Sequence, residues 1–256
     1  MRAAELAHLA AAAPALWFDE LGSTNAEVRR RAESGEDGPL WIAARRQTDG
    51  RGRRGRAWEA GQGNLAATLL TTTARPAAEA AQLSFVAAFA VRDLALRYVP
   101  EALIRLKWPN DVLISGAKAA GILIESGRRD DGALWLAVGI GVNLVSAPEG
   151  LEYPATCLAA HLGPEVGAAP SPERALAILS ADFAHWLGLW DRGGFEPLRA
   201  EWTRCAHGLG AHCVARVGER AIEGVALEMD ADGALVLRLD SGELQRITAG
   251  DVFFGN

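Results

Sequence analysis

QTDGRGRRGRAW, residues 47–58, decides between two architectures, because GRGRRG at 50–55 matches the GxGxxG fingerprint of a dinucleotide-binding, doubly wound fold letter for letter. That fingerprint works only where its glycines open a helix whose N-terminus receives a pyrophosphate. A strand-like run, LWIAAR at 40–45, does precede it, but AWEAGQGN follows, with two glycines and no amphipathic period. The doubly wound reading therefore fails, and no GxxxxGK[ST] is present to make a Walker phosphate loop. What remains is a flexible basic loop with four arginines and three glycines in Gly50–Arg56, and with Asp49 the one acid between Arg45 and Arg56.

The segments around the loop read as α+β. Residues 2–13 are alanine-rich and suit a fraying helix; Trp17 and Phe18 then lead into LGSTNAEVRRRAESG, where Thr24 and Glu27 form the capping box of a helix ending near Gly35. LWIAAR enters the loop as a strand and NLAATLLTTT (64–73) leaves it as another. Pro76–Val99 reads as one long helix, opened by proline and closed before Pro100, with Leu83, Val86, Phe89, Ala90 and Leu94 on its apolar face. LIRLKW (103–108), DVLIS (111–115), KAAGILIES (118–126) and ALWLAVGIGVNL (133–144) are strands whose short links, one a Ser-Gly turn, require antiparallel pairing. After a loop at 161–173, Ser171 caps a helix that has Pro172 at its first position and Leu176, Leu179, Phe183, Trp186, Leu187 and Trp190 as its core stripe. A short helix around Phe195–Thr203 precedes four alternating runs, AHCVARV, RAIEGVALEM, GALVLRL and ELQRITAGDVFF, which fit a small barrel-like domain. The expected domains are 1–206 and 207–256.

Composition narrows the function. The chain has 256 residues, half of them apolar, with a net charge of −6 and no apolar run able to span a bilayer, so it reads as a soluble globular protein with no membrane partner. Three cysteines without a CxxC pair fit a reducing, cytoplasmic setting. The acidic balance argues against a general nucleic-acid binder, and the arginine loop lacks the aromatic platform that such binding uses. A local anion carrying several charges explains the loop better, since guanidinium forks suit phosphate and carboxylate oxygens. The 26 basic residues include only two lysines, Lys107 and Lys118, which marks both as places where a compact point charge is wanted.

Four stretches together resemble the biotin protein ligase family: QTDGRGRRGRAW, KWPNDVLISGAKAAGILIE (107–125), STN (23–25) and VGIGVNL (138–144), in order between residue 17 and about residue 145. The resemblance implies a mixed β-sheet backed by helices, of the class II aminoacyl-tRNA synthetase and biotin ligase kind, followed by a small C-terminal SH3-like β-barrel domain. It also implies a reaction in which ATP with Mg2+ activates the biotin carboxylate to biotinoyl-5′-AMP and releases pyrophosphate. The acyl group then passes to one lysine of a biotin carboxyl carrier protein or domain, that of acetyl-CoA carboxylase and of other carboxylases. Such chemistry needs no nucleophile from the enzyme, in keeping with the lack of GxSxG and HExxH.

By matching motifs, the resemblance assigns biotin to Ser23, Thr24, Asn25, Gln47, Arg51, Gly52, Arg53, Lys118, Gly121 and Gly139. Ser23, Thr24 and Gln47 would hold the polar ureido end, and Gly139 would leave room for the bicyclic ring. ATP falls to Arg51, Arg53, Arg56, Lys118 and Asn143, with Lys118 at the junction of carboxylate and α-phosphate and Arg53 retaining the adenylate. Arg53, Lys118 and Asp111 form the catalytic set, Asp111 either as a magnesium ligand or as the group that orients the incoming lysine. Lys107 is left out of that set, and Trp58 is expected to pack under the loop.

Plainer readings stand beside these. Ser23 and Thr24 can simply cap their helix, Asp111 can anchor a Trp-Pro turn, and Gly139 and Gly141 can relieve a crowded strand. Cys205, His207, His212 and Cys213 have the right types for zinc, but adjacent His212 and Cys213 on a strand point to opposite faces. About twenty residues precede Ser23, fewer than a helix-turn-helix domain needs, so a ligase without operator binding is expected, with a homodimer left open. A lipoate ligase and a non-enzymatic RNA-binding protein are the competing functions. Because the loop arginines repel one another until an anion joins them, hydrogen exchange at Gly50–Arg56 should slow when nucleotide and substrate are added; equal protection with and without them would refute the idea.

Overall fold

The computed structural model describes residues 13–255, so the helix expected over 2–13 falls almost wholly outside the described residues. A seven-stranded sheet runs in the order β1-β2-β3-β7-β6-β5-β4. Its strands are β1 (Ala15–Leu21), β2 (Leu40–Gln47), β3 (Leu65–Thr73), β4 (Ile104–Lys107), β5 (Asp111–Ile114), β6 (Ala117–Arg128) and β7 (Leu134–Val142). The run from β4 to β7 pairs antiparallel throughout, as the short links require. Ser115 and Gly116, with φ of 51° and 78°, supply the two left-handed positions of the Ser-Gly hairpin. β1 is the exception to the pattern, a strand that pairs parallel with β2 and was not expected from ALWFDEL. Helix α1 (Thr24–Glu33) makes the crossover between the two.

Strand alternation gives the sheet two unlike faces. On one, Trp41, Ala43, Leu65, Ala67, Leu69, Leu136, Val138, Ile140 and Val142 join the main core with helices α3 (Leu83–Leu96) and α4 (Pro172–Gly193). Ser171 caps α4 as expected, its Oγ accepting from Arg174 N at 3.3 Å. On the other face, Val28 and Ala32 of α1 form a smaller cluster with Leu40, Ile42, Leu70, Trp135 and Ala137, edged by Phe18 and Leu21. Beside that cluster the same face presents Ala66, Thr68, Gly121, Gly139 and Gly141; the first turn of α1 reaches Thr68 and Gly139 through Asn25, while Ala66, Gly121 and Gly141 face a cavity.

Two expected elements are redrawn. The Pro76–Val99 helix is broken into α2 (Ala77–Ala80) and α3, with buried Gln82 at the break. The Gln82 side chain accepts from Trp190 Nε1 at 2.8 Å and donates to Asp232 O at 3.3 Å, so what looks like a surface polar position in the sequence is a tertiary tie. The capping residue of α1 is Ser23, whose Oγ accepts from Ala26 N at 3.4 Å, one position before the expected Thr24; Glu27 instead ion-pairs with Arg30 and Arg31.

Helix α5 (Glu196–Cys205) leads to a five-stranded antiparallel sheet of β8 (His212–Val217), β9 (Arg220–Met229), β10 (Leu235–Arg238), β11 (Leu244–Ile247) and β12 (Asp251–Phe254). The last expected strand divides into β11 and β12, which occupy opposite edges in the order β11-β10-β9-β8-β12. Among the described residues the edge strands β11 and β12 do not pair with each other, so the sheet of the expected barrel-like domain is open. Ala215, Ala226, Leu235, Leu237 and Val252 belong to the same core as α3 and α5, and Trp108 Nε1 donates to Gly233 O at 2.9 Å across the junction near residue 207. Among the described residues no helix is long and apolar enough to cross a membrane.

Phe183 is fully buried and meets Trp41 edge-on, with ring centroids 6.1 Å apart, where α4 seats on the sheet. Phe183→Ala should lower unfolding stability by about 3–5 kcal/mol, read from denaturant midpoints. A loss below about 1 kcal/mol would mean that α4 does not hold this face.

Candidate active site

The uncovered part of the sheet forms the floor of a cavity of about 510 Å3. Its walls are the N-terminus of α1, the arginine loop, the Trp108–Asp111 turn, the Glu152–Pro154 segment and β12. The cavity exists because this stretch of the sheet carries small residues. A methyl group on Gly139 would run into Asn25 Oδ1, one on Gly141 would run into the Trp58 indole, and one on Gly121 would meet Trp58 and Lys118 at 3.2 Å. Trp58 thus packs under its loop as expected, and its ring is at the same time a wall of the cavity.

One end is polar and almost fully desolvated, with Ser23, Thr24 and Asn25 at 4–5% exposure. Thr24 N–H, an orphan donor of the first helical turn, donates to Gln47 Oε1 at 2.8 Å, and Thr24 Oγ1 lies 3.0 Å from the same oxygen. With its oxygen taken, the Gln47 amide turns its NH2 outward as a donor. Thr68 Oγ1 lies 2.8 Å from Thr24 Oγ1 and 2.7 Å from Asn25 Oδ1. Asn25 Nδ2 donates to Glu125 Oε2 at 2.8 Å, and Arg29 pairs with the other Glu125 oxygen.

Lys118 reaches the cavity through a backbone irregularity. Val112 pairs with Ala120 but Leu113 pairs with Lys118, so Ala119 is an extra residue in β6. Strict alternation would send Lys118 to the side of Ala120, into the core. The bulge inverts the alternation and puts Lys118 on the side of Gly121. There Nζ lies 2.6 Å from Asp111 Oδ1 and faces the rings of Trp58 at 5.7 Å and Tyr153 at 5.3 Å. Asp111 Oδ1 is buried, with the Lys118 ammonium as its partner. A carboxylate with spare acceptor capacity fits magnesium held jointly with substrate phosphates, since that ion needs only one or two protein carboxylates.

The other end is cationic. Gly52 N–H donates to Arg56 O at 2.7 Å and Trp58 N–H to Gly50 O at 2.9 Å, making the loop a tight arm, and Arg54 and Gly55 take φ of 55° and 72° at its tip. Arg53 Nη1 donates to Asn110 Oδ1 at 3.0 Å, and burial pushes the Arg53 guanidinium below its usual range despite the nearby carboxylates of Asp251 and Asp111. Three loop arginines converge on Asp251 of β12: Arg56 in direct contact, Arg54 at 3.5 Å and Arg53 at 3.6 Å. Arg51 pairs with Asp49 at 3.1 Å, which gives the one acid of the loop a local role.

Ser23, Thr24, Asn25, Gln47, Arg51, Gly52, Arg53, Arg56, Asp111, Lys118, Gly121 and Gly139 all line this cavity. Asn143 is not among the lining residues. It is 2% exposed, and its Nδ2 donates to Thr156 O at 3.0 Å while its own N–H donates to Ala119 O, so it secures the bulge and the following segment from behind. The sequence reading missed Asn110, Tyr153 and Asp251, and it set aside Lys107, which faces the Phe253 ring at 5.6 Å and whose ammonium burial pushes below the usual lysine range. The scarcity of lysine was the one signal that pointed to Lys107. Of the four zinc-type residues, His212 is exposed and Cys213 buried, and burial pushes the Cys205 thiol up to about 11.

A glycine-floored cavity with an amide-lined end, a central lysine and an arginine arm defines a ligase of the biotin and lipoate type. Residues 20–143 match the biotin/lipoate A/B protein ligase family, and residues 208–255 match the biotin protein ligase C-terminal domain. The chain is 45% identical to the biotin–[acetyl-CoA-carboxylase] ligase of Paracoccus denitrificans, over 91% of this chain and 97% of that one. It is 35% identical to the protein of the same name from Mycobacterium tuberculosis, over 91% and 86%. In fold it is similar to the biotin protein ligase of Aquifex aeolicus solved with biotin and ATP, with a TM-score of 0.75 at 24% identity, covering 94% of this chain and 98% of the other. The chain belongs to the biotin protein ligase family.

Asp251→Asn should leave the three guanidiniums facing one another without a counter-ion. Because the groups are partly exposed, the nucleotide-free protein should lose only roughly 1 kcal/mol at low salt, and less as salt screens the repulsion. Thermal unfolding of both proteins across a salt series checks this; a salt-independent difference would contradict it.

Proposed function

We propose that this protein is an ATP-dependent biotin protein ligase that acts on a biotin carboxyl carrier protein or domain, with acetyl-CoA carboxylase as the first acceptor to test. The observation that carries the reading is Lys118, turned by the Ala119 bulge into the cavity that also holds Gln47 and the arginine arm. A lysine so placed can neutralise a carboxylate and a phosphate together.

In the first step a biotin carboxylate oxygen attacks the α-phosphorus of ATP, the bond to the β-phosphate oxygen breaks and pyrophosphate leaves. In the second, the neutral amine of the acceptor lysine attacks the acyl carbon and gives up one proton to solvent, and AMP leaves with the electron pair of the broken C–O bond. Neither step uses a nucleophile of this chain, whose work is positioning and charge stabilisation. The Gln47 NH2 and the Thr24 hydroxyl oxygen would meet the carbonyl and an N–H of the ureido ring, with Ser23 and Asn25 shaping that end. Gly139, Gly121 and Gly52 allow close approach of the ring and of the acyl-phosphate chain. Lys118 would bridge the reacting groups, and Arg51, Arg53 and Arg56 would hold phosphates, with Arg53 keeping the adenylate in place. Asp111 would hold magnesium with the phosphates, where the ion supplies further charge neutralisation. Residues 1–206 would carry the ligand site and 207–256 the counter-charge of Asp251. The three free, buried cysteines suit a cytoplasmic location.

Incubation with biotin, ATP, magnesium and an apo carrier domain should add one biotinyl group to the carrier by mass, and lipoate should compete poorly in ATP–pyrophosphate exchange. No mass gain, or equal use of lipoate, would overturn the assignment. Arg53→Ala should still form the adenylate but release it at least ~10-fold faster, in line with the loss of one charge-assisted hydrogen bond. Unchanged retention would show that Arg53 does not hold it.

A further inference from the structure

Cross-strand register puts Lys107 on the same face of the sheet as the glycine floor. Lys107 pairs with Asp111, Asp111 with Gly121 and Gly121 with Gly141, and directly opposed residues share a face. The row therefore runs from the floor, past the Asp111–Lys118 ion pair, to Lys107, about 10 Å from Gly121 at a strand spacing of ~4.8 Å. The charges that act on Lys107 are Asp111 and Lys118 in that row, and Asp251 and Arg56 at the arginine arm. Its ammonium thus stands between the central lysine and the arm.

Its own charge is handled unlike the others around the cavity. Asp49 holds Arg51, Asp251 holds Arg53, Arg54 and Arg56, and Asp111 holds Lys118. Lys107 Nζ makes neither an ion pair nor a hydrogen bond with any described residue; it rests 5.6 Å from the centroid of the Phe253 ring, which the Arg216 guanidinium also faces, at 4.5 Å. An aromatic ring steadies an ammonium without neutralising it. This half-buried cation therefore lacks one negative charge, and an anion entering here meets no carboxylate already seated on Nζ.

We propose that Lys107 binds the β-phosphate of the nucleotide and steadies pyrophosphate as it leaves. When the bond from the α-phosphorus to its bridging oxygen breaks, the electron pair stays on that oxygen and the new charge spreads over the pyrophosphate. Lys107 keeps its proton and donates a hydrogen bond to the departing group, while Lys118 serves the carboxylate and the α-phosphate. The inference rests on the ligase reading and adds to it a catalytic residue that acts in adenylation and not in transfer.

The test compares wild type with two neutral variants, Lys107→Met and Lys107→Gln. Biotin-dependent ATP–pyrophosphate exchange reports on adenylation, and apo carrier domain incubated with supplied biotinoyl-5′-AMP reports on transfer alone. Both variants should lower kcat/KM for ATP and for pyrophosphate at least ~10-fold, the scale of one charge-assisted hydrogen bond, and leave KM for biotin and the transfer rate within about twofold of wild type. Their unfolding midpoints should stay close to that of wild type, since the ammonium has no ion pair to lose. If, in either variant that folds, kcat/KM for ATP and pyrophosphate changes by less than about twofold, or transfer from supplied adenylate falls as far as exchange does, Lys107 does not hold the leaving group and the proposal fails. A wild-type protein with no biotin-dependent exchange would instead sink the ligase reading, and this inference with it.

Discussion

Everything in the site depends on the difference in side-chain size between the two faces of one sheet. On the helix-backed face, β7 presents Leu136, Val138, Ile140 and Val142; on the other it presents Ala137, Gly139 and Gly141. The first set buries apolar area against α3 and α4, which is where the folding free energy is gained. Of the second set, Ala137 packs under α1, while Gly139 and Gly141 give up side-chain burial and leave volume. A glycine in a strand interior is locally unfavourable, and three of them on one face, Gly121 included, are sustained by the packing behind them. Trp58 and Asn25 use the space the glycines leave and carry the ligand-facing chemistry into it.

Charge is arranged around that volume with the same economy. The arginine arm would be self-repelling, and Asp251 stands at its centre as a built-in anion. Lys118 is held by Asp111 and two aromatic rings. Both cationic groups thus rest on carboxylates whose places phosphate oxygens can take. An open sheet that reaches β12 to the mouth of the cavity ties the C-terminal module to the loop, and this link explains why residues near 251 and 53 act on one site although almost two hundred positions separate them.

Much of this was legible in the residues. Short links between apolar runs forced the antiparallel β4–β7 meander, Ser171-Pro172 fixed the start of α4, and the glycine and arginine content of 50–56 marked an anion-binding arm. The unread parts are those with no local signal. The Ala119 bulge changes which face Lys118 occupies, yet KAAGIL looks like any strand. ALWFDEL is an edge strand with mostly exposed positions, so its alternation carries little pattern. Gln82, Asp251 and Glu125 act through partners far away in the chain, at Trp190, Arg56 and Asn25, which only the tertiary structure brings near. Asn143 shares the alternation of the cavity glycines Gly139 and Gly141, but β7 ends at Val142 and Asn143 is tied to Ala119 O and Thr156 O behind the site.

The glycine floor is tested most directly by isothermal titration of biotin, with nucleotide present, into wild type and Gly141→Ala. The added methyl would displace the Trp58 indole without touching the helix-backed core. Biotin should bind at least ~10-fold more weakly to the variant, a difference of about 1.4 kcal/mol, while its unfolding midpoint stays close to that of the wild type. Equal affinity in the two proteins, with the variant folded, would contradict the account.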